Sequence, residues 1–440
     1  MSRSQRFAIL AVLLFCPCLA QAQPPAAAAE KIGLAERTWI ASKIYASIQL
    51  YFGHWQAVPE LDLDTVYRHY LDQITASDDR VAFDLASKEF LAQLKNGHSG
   101  FWDTWLNNRE KPVGFVLAPL GEHWVTVSSQ SPDLVVGDAV RLLDGKPIGE
   151  FVANGERYVA GSSEPARRRL LFASAFLFPK VFTLTLEDGR TVRIDRFNQK
   201  LKAAVPAVQE GRVLEGGIAF LRIPSFERRE DELAAVEFLR AHASAKAMVI
   251  DVRGNGGGNT PSDLIRAVMD RPYRDFTLST SAYIALFGAY AQTVRDNSIN
   301  ELGDRQKGGL EALAGYERPQ IVTLGGLSQP GQPIYTGPLI VLSDGGCGSS
   351  CEDFLMPLKV SGRACIVGEA SFGSTGQPFY FEFGNGMGFR VSTKRESFPD
   401  GSPFEGVGIQ PDVEVRPTLE DLRQGADPAL EKALALARKG

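Results

Sequence analysis

The sequence predicts a multidomain α/β protein with an N-terminal helical region, a β domain and an α/β core. The chain has 440 residues, which is too long for one ordinary hydrophobic core. Apolar residues recur at helical spacing over residues 34–94, and short β runs bounded by turns follow them. From about residue 211, near-continuous apolar strands alternate with helices, which is typical of a buried and largely parallel sheet.

These changes of pattern divide the chain into predicted segments. Residues 1–22 form a signal peptide, 23–105 a helical region, 106–205 a β domain, and 206–440 the core with an insertion at about 270–335. With 44% hydrophobic and 22% charged residues, the composition is that of a soluble globular protein. A formal net charge of −5 and the lack of a Lys/Arg run argue against a nucleic-acid partner.

The first residues have the pattern of a targeting signal. Arg3 and Arg6 precede the apolar run "FAILAVLLF", which is too short to span a bilayer, and "AQA" supplies the small residues of a cleavage site. We therefore predict cleavage after Ala22 and a periplasmic or secreted protein. The residues before Cys16 and Cys18 are not the small ones that lipoprotein processing requires, so we expect no stable membrane anchor.

One stretch of the β domain resembles a known binding module. In "PDLVVGDAVRLLDGKPIGEF", a turn and a Gly-Asp pair precede a strand and a "DGK" hairpin, as in part of a PDZ domain. PDZ domains bind peptides by adding them as a strand to a sheet edge. A plain β domain is the alternative interpretation.

Two stretches of the core carry candidate chemistry. In "GCGSSCEDF", Ser349 and Glu352 have the spacing of a capping box, so the serine can simply begin a helix. In "IDVRGNGGGN", a buried strand ends in a glycine-rich turn, but no Gly-Lys-Ser/Thr follows it as a phosphate loop would need. The same kind of backbone also suits the oxyanion of an acyl-transfer reaction.

Five motifs in order resemble peptidase family S41, the C-terminal processing and tricorn-core serine proteases. They are "GIAFLRIPSF", "VIDVRGNGGGN", "CGSSCEDF", "GRACIVGEASFG" and "DGSPFEGVGIQPDVEV". The resemblance covers residues 215–416 and implies a ClpP/crotonase-like catalytic core. It assigns the nucleophile to Ser349 and the oxyanion-hole donors to the N–H groups of Ser350 and Gly257.

The resemblance also indicates which branch of the family this chain follows. The processing-protease branch uses a lysine in "FGKG" as its base, whereas this chain has "FGSTGQ", with Ser374 at the position of the lysine. The tricorn-like branch uses a histidine and a glutamate, which "LKNGHSG" and "PFEGVGIQPD" assign to His98 and Glu405. That branch has a serine directly before the histidine, and here Ser99, Ser371 or Ser374 could take its relay role.

The function implied is that of a serine endopeptidase that cleaves peptides or unfolded proteins through an acyl-enzyme. No cofactor or metal is implied, and the sequence does not indicate an oligomeric state. The alternative is a non-catalytic peptide- or ligand-binding protein on the same scaffold, because some relatives lack proteolysis. Absence of the lysine favours that alternative, whereas retention of Ser349, His98 and Glu405 opposes it.

The cysteines of the core allow two interpretations. Cys347 and Cys351 are four residues apart, and about 6 Å between Cα atoms one helical turn apart is within disulfide range. They can equally be small buried side chains, with Cys365 on the next strand. Three cysteines without nearby histidines do not make a full metal-ligand set.

Overall fold

The computed structural model describes residues 30–201, 210–281 and 320–439. The predicted signal peptide with its cleavage after Ala22, and much of the predicted insertion at 270–335, lie outside the described residues. Within the described ranges, no helix is both long and apolar enough to cross a membrane.

The described residues form helices and strands with the following bounds. The helices are α1 (Leu34–Tyr51), α2 (Leu63–Ala76), α3 (Arg80–Ala92), α4 (Thr104–Asn107), α5 (Ile148–Gly155), α6 (Glu164–Ala173), α7 (Arg229–Ala241), α8 (Ser262–Val268), α9 (Ser350–Ser361), α10 (Leu419–Gln424) and α11 (Pro428–Ala437). The strands are β1 (Gly100–Asp103), β2 (Phe115–Leu120), β3 (His123–Ser129), β4 (Ala139–Leu143), β5 (Lys146–Pro147), β6 (Val181–Leu186), β7 (Thr191–Asp195), β8 (Glu210–Leu214), β9 (Ile218–Arg222), β10 (Ala247–Asp251), β11 (Tyr273–Arg274), β12 (Thr277–Ser281), β13 (Gln320–Thr323), β14 (Leu327–Ser328), β15 (Leu339–Ser343), β16 (Cys365–Gly368), β17 (Pro378–Glu382), β18 (Met387–Ser392), β19 (Lys394–Ser397) and β20 (Val413–Glu414).

The N-terminal helices pack around strands from both ends of the chain. Asp62 and Asp79 cap α2 and α3 by accepting hydrogen bonds from backbone N–H groups of the first turn. Strand β1 pairs antiparallel with β18, which pairs with β17, and the apolar side chains of these strands share one core with α1 to α3. The buried pair of Arg80 and Asp103, 2.6 Å apart, holds α3 on β1. The loop between α3 and β1 is therefore fixed against a segment almost 300 residues later.

The β domain is an antiparallel sheet covered by α5 and α6. Its strand order is β2-β3-β4-β6-β7, and the short β5 pairs with β4. The predicted Asp-Gly turn joins β4 to β5, with Asp144 at φ 49° and Gly145 at φ 78°, both in the left-handed region that this turn requires. The resemblance of this domain to a PDZ domain stays a prediction.

The core sheet has the order β20-β16-β15-β10-β9-β8. Its strands are parallel except β8, and every residue of β10 and β15 is buried. Helices α7, α8 and α9 cover one face, and α11 covers the other. This arrangement confirms the predicted fold class. The carboxyl ends of β10 and β15 meet at one edge, where ligands of open α/β sheets bind.

Candidate active site

Ser349 lies between the buried strand β15 and helix α9. Its backbone is in an unusual conformation, with φ 55° and ψ −124°, which costs a non-glycine residue about 1–3 kcal/mol. A sharp turn of this kind presents the side chain at the head of the helix. The strain is consistent with a functional position, because such conformations are concentrated at active sites.

The glycine-rich loop after β10 packs directly against this turn. Asp344 accepts hydrogen bonds from the N–H groups of Gly254 and Gly346, at 2.8 Å each, and so joins the two loops. Gly257 approaches so closely that a Cβ there would lie 2.7 Å from Cβ of Ser349. Only glycine fits at position 257.

The backbone amides at the head of α9 include a free donor. Among the described residues, the N–H of Ser350 has no acceptor, and it lies in the first turn of a 12-residue helix, where the partial positive charge favours an anion. The Gly257 N–H, by contrast, donates to Oδ1 of Asn255 at 2.9 Å. The side chain of Ser350 donates to the carbonyl of Gly258 at 2.7 Å, so it does not cap the helix.

His98 reaches Ser349 from the loop that follows α3. Its Nε2 lies 3.3 Å from Oγ of Ser349, although the two residues are 251 positions apart. Oδ1 of Asn96 accepts from the His98 N–H at 2.9 Å. Gly376 leaves room for the ring, since a Cβ at that position would lie 2.8 Å from Cγ of His98. The imidazole of His98 and the hydroxyl of Ser349 are thus within hydrogen-bonding reach.

The surroundings of His98 keep its imidazole neutral. Removal from water lowers its pKa from 6.5 to about 3, and the nearby charges of Arg390 and Lys394 act in the same direction. Arg390 also donates to the carbonyl of Gly97 at 3.1 Å and so holds the loop. A neutral imidazole can accept a proton from a hydroxyl. Sequence reasoning missed both cations because they lie on β18 and β19, far along the chain.

Of the three candidate relay serines, one contacts the imidazole. Oγ of Ser374 lies 3.0 Å from Nδ1 of His98. The hydroxyl of Ser99 instead donates to Asn96 and accepts from the N–H of Ser392. The hydroxyl of Ser371 donates to Glu352 at 2.6 Å.

Glu405 lies close to this network but contacts other groups. Its Oε1 accepts from the N–H of Thr375 at 3.1 Å, and its Oε2 accepts from Oγ of Ser162 at 3.3 Å. Burial raises its pKa well above the ordinary value, and the carboxylates of Glu352 and Glu396 add to the rise. Glu405 therefore contacts Thr375, the residue after Ser374. Among the described side chains, no hydrogen bond joins Glu405 to His98.

Glu352 is a site residue whose importance the sequence analysis did not recognise. It is fully buried, and burial raises its pKa to about 8, whereas hydrogen bonds from Ser371, Gly373, Ser374 and Ser349 lower it. Three of these neighbours are backbone N–H groups, which can only donate, and the Ser371 hydroxyl already accepts from the N–H of Ile409 at 2.7 Å, so the contacts favour a carboxylate that accepts over a protonated carboxyl. The hydrogen-bond pattern is that of an ionised carboxylate. The capping-box spacing was the available signal.

Cys347 and Cys351 form a disulfide, and Ser349 lies between them in the sequence. Their Cα atoms are 5.4 Å apart, and both side chains are fully buried. Cys365 is free and partly exposed. In the described ranges, no group of three or more His, Cys, Asp or Glu side chains is arranged to hold a metal ion.

Comparisons with known proteins indicate the family and the fold. The profile of peptidase family S41 matches residues 217–415. A carboxy-terminal-processing protease of Bartonella bacilliformis is 25% identical over 375 residues, which covers 84% of this chain and 70% of that relative. The solved structure of mature CPAF complexed with lactacystin has a TM-score of 0.67 at 14% identity, covering 91% of this chain and 97% of that one. The photosystem II D1 C-terminal processing protease has a TM-score of 0.52 at 17% identity, with 91% and 97% covered.

The two solved structures show the fold, and the family profile and the relative show the class of protein, which is a serine peptidase. Over residues 217–415, the chain matches peptidase family S41.

Proposed function

We propose that this protein is a periplasmic or secreted endopeptidase that cleaves peptides or unfolded proteins, with Ser349 as nucleophile and His98 as base. The observation that carries this proposal is the contact of 3.3 Å between Nε2 of His98 and Oγ of Ser349. A serine hydroxyl is a weak nucleophile unless a base lies within hydrogen-bonding reach.

The chemistry follows from this contact. Nε2 of His98 takes the proton of Ser349 as Oγ attacks the peptide carbonyl carbon, and the carbonyl oxygen becomes an oxyanion beside the N–H of Ser350. The imidazolium then gives its proton to the leaving amine, and water hydrolyses the acyl-enzyme by the same steps in reverse. Gly257 contributes by the close approach that a side chain would prevent.

The tautomer of His98 is set by its other nitrogen. Nε2 can accept a proton only if Nδ1 carries the ring N–H, and Oγ of Ser374 lies at hydrogen-bonding distance from Nδ1. Glu405 supports this segment through the N–H of Thr375. We therefore assign Ser374 as the partner of the base, with Glu405 acting on the segment that carries it.

The alternative function is a non-catalytic binding protein on the same scaffold. Two features favour catalysis over binding alone: the strained backbone of Ser349 and the neutral, desolvated imidazole of His98. A binding protein needs neither. The targeting pattern before Ala22 and the disulfide of Cys347 and Cys351 support an oxidising compartment.

Labelling with a fluorophosphonate probe, together with hydrolysis of a fluorescently labelled unfolded protein, tests the proposal. Ser349→Ala should lose the label and lower turnover by about 10⁴-fold or more. Ser350→Ala is the matched control, because its backbone N–H remains, and it should keep the label. Wild-type enzyme that neither labels nor hydrolyses, or Ser349→Ala that hydrolyses normally, would contradict the proposal and favour the binding protein.

A further inference from the structure

The carboxylate of Glu352 connects the two halves of the candidate active site. Its Oε2 accepts from the N–H of Ser349 at 3.1 Å and from the N–H of Ser374 at 3.1 Å. One oxygen atom thus lies between the nucleophile residue and the residue that contacts the base. Its Oε1 accepts from Oγ of Ser371 at 2.6 Å and from the N–H of Gly373 at 2.7 Å.

These contacts act on groups whose position decides the chemistry. Ser349 has a positive φ, and its N–H points to Glu352 and to the carbonyl of Ser374, 3.2 Å away. The N–H of the nucleophile is therefore occupied, which leaves the next amide, that of Ser350, for an oxyanion. If the carboxylate were lost, the strained turn and the 373–374 segment could relax independently.

We propose that Glu352 is a positioning residue for peptide hydrolysis, in which its ionised carboxylate fixes the nucleophile Ser349 and the base partner Ser374 relative to each other. The inference rests on the proposed function of Ser349 and His98. Glu352 touches neither substrate nor base, so it acts through the backbone of these two serines.

A purely structural role is the competing explanation, because a glutamate at this position of a helix commonly caps its first turn. The chain offers a matched control for that explanation. Glu232 is also buried, and its Oε1 accepts from the N–H groups of Asp263 and Leu264 at 2.6 and 3.2 Å at the start of α8. It has no contact with Ser349 or Ser374 among the described hydrogen bonds.

The test compares Glu352→Gln with Glu232→Gln in the full chain, with kcat and KM measured on folded protein. Glutamine keeps the shape but turns an NH₂ group toward backbone N–H donors. We expect Glu352→Gln to lower kcat about 100-fold, as small displacements of reacting groups do, with KM changed less than about threefold. The rate of inactivation by a fluorophosphonate should fall in parallel. Glu232→Gln should lower the melting temperature without changing kcat.

The inference is overturned if folded Glu352→Gln turns over within about threefold of wild type while Ser349→Ala is inactive. Activity that persists in Ser349→Ala would instead contradict the proposed function itself. If Glu352→Gln does not fold, Ser371→Ala serves instead, because it removes one donor to Glu352 without altering Ser349 or Ser374. That variant should lower kcat about tenfold at unchanged KM, and unchanged kcat would reject the positioning role.

Discussion

Oγ of Ser374 lies 3.0 Å from Nδ1 of His98, the ring nitrogen that does not face Ser349. The processing proteases that this chain resembles have a lysine at the position of Ser374. Here a histidine from the N-terminal region reaches Ser349, and the residue in the lysine position contacts that histidine. Under the proposed mechanism, histidine replaces lysine as the base, and the serine at position 374 becomes the partner of that histidine.

Removal of this contact should impair catalysis specifically. Ser374→Ala leaves Nδ1 of His98 without its neighbour, so the productive tautomer is less favoured, and we expect kcat to fall about 10- to 100-fold with little change in KM. Ser99→Ala is the control, because its hydroxyl contacts Asn96 and Ser392 and not the imidazole. Equal losses in the two variants, measured by steady-state kinetics, would remove Ser374 from this role.

The acid limb of the pH profile should report on His98. Its pKa is lowered to about 3 by desolvation and by Arg390 and Lys394, so the imidazole stays neutral as pH falls from 8 to 5 and its protonation does not reduce kcat/KM there. The positive charge of Arg390 lowers the pKa of His98, so Arg390→Gln should raise this pKa and move the acid limb due to His98 to higher pH. Arg395→Gln is the control, because the charge of Arg395 acts on His54, and this variant should leave the acid limb unchanged. A limb unaffected by Arg390→Gln would show that another group titrates.

Glu405→Gln should separate stability from catalysis. Glutamine can accept from the N–H of Thr375 and donate to Oγ of Ser162, so both hydrogen bonds survive without a buried charge. Because folding raises the pKa of Glu405 above 4.5, the native state binds the proton more tightly, and wild-type stability falls as pH rises above this value. Glu405→Gln does not titrate, so its melting temperature should exceed that of wild type by a margin that grows as pH rises from 4.5 to the raised native-state pKa of Glu405 and is constant above it.

The same variant tests the catalytic role of Glu405. If Glu405 acts only through the 374–375 segment, turnover of folded Glu405→Gln should stay within about fivefold of wild type. A larger fall in kcat at an unchanged melting temperature would mean that its charge stabilises the imidazolium directly. Glu405→Ala, which leaves the buried N–H of Thr375 unpaired, should cost about 1–3 kcal/mol of stability.

The disulfide should stabilise the turn that carries Ser349. Replacing both Cys347 and Cys351 by alanine opens a short loop. Because the disulfide restricts the unfolded chain, its loss should lower the free energy of unfolding by about 2 kcal/mol. We expect a lower melting temperature and a lower kcat, because the strained backbone of Ser349 loses a constraint. Cys365→Ala is the control and should leave kcat unchanged. Peptide mapping without reduction should find neither Cys347 nor Cys351 alkylated, and two alkylated thiols would contradict the bridge.

Motifs with fixed local spacing were predictable from the sequence. The turn at Ser349 depends on neighbours within a few residues, and the buried strands β10 and β15 are visible as apolar runs. The identity of His98 as a candidate came from a resemblance, but its distance from Ser349 depends on the pairing of β1 with β18. No periodicity encodes such a pairing between distant segments.

Other features were missed for local reasons. Helix α6 lies in a region expected to consist of short β runs, although Ser163 caps it and Pro165 lies in its first turn. Three consecutive arginines, 167–169, interrupt the apolar stripe that would have indicated a helix. The motif identified Glu405, but not the hydrogen bonds to Thr375 and Ser162, because Ser162 comes from a different domain.

The pairing of β1 with β18 also determines when a newly made chain can form the candidate active site. His98 precedes β1, and its loop is held by Arg390 within β18, so the base has no fixed position until residues 387–392 have been made and folded. Synthesis proceeds from the N-terminus, and contacts between such distant segments form late because closing a long loop costs entropy. A chain that ends before residue 387 therefore lacks the pairing that positions His98, and a chain that has lost its N-terminal region carries Ser349 without His98. Under the proposed mechanism, peptide hydrolysis therefore requires both segments to be present and folded in one chain.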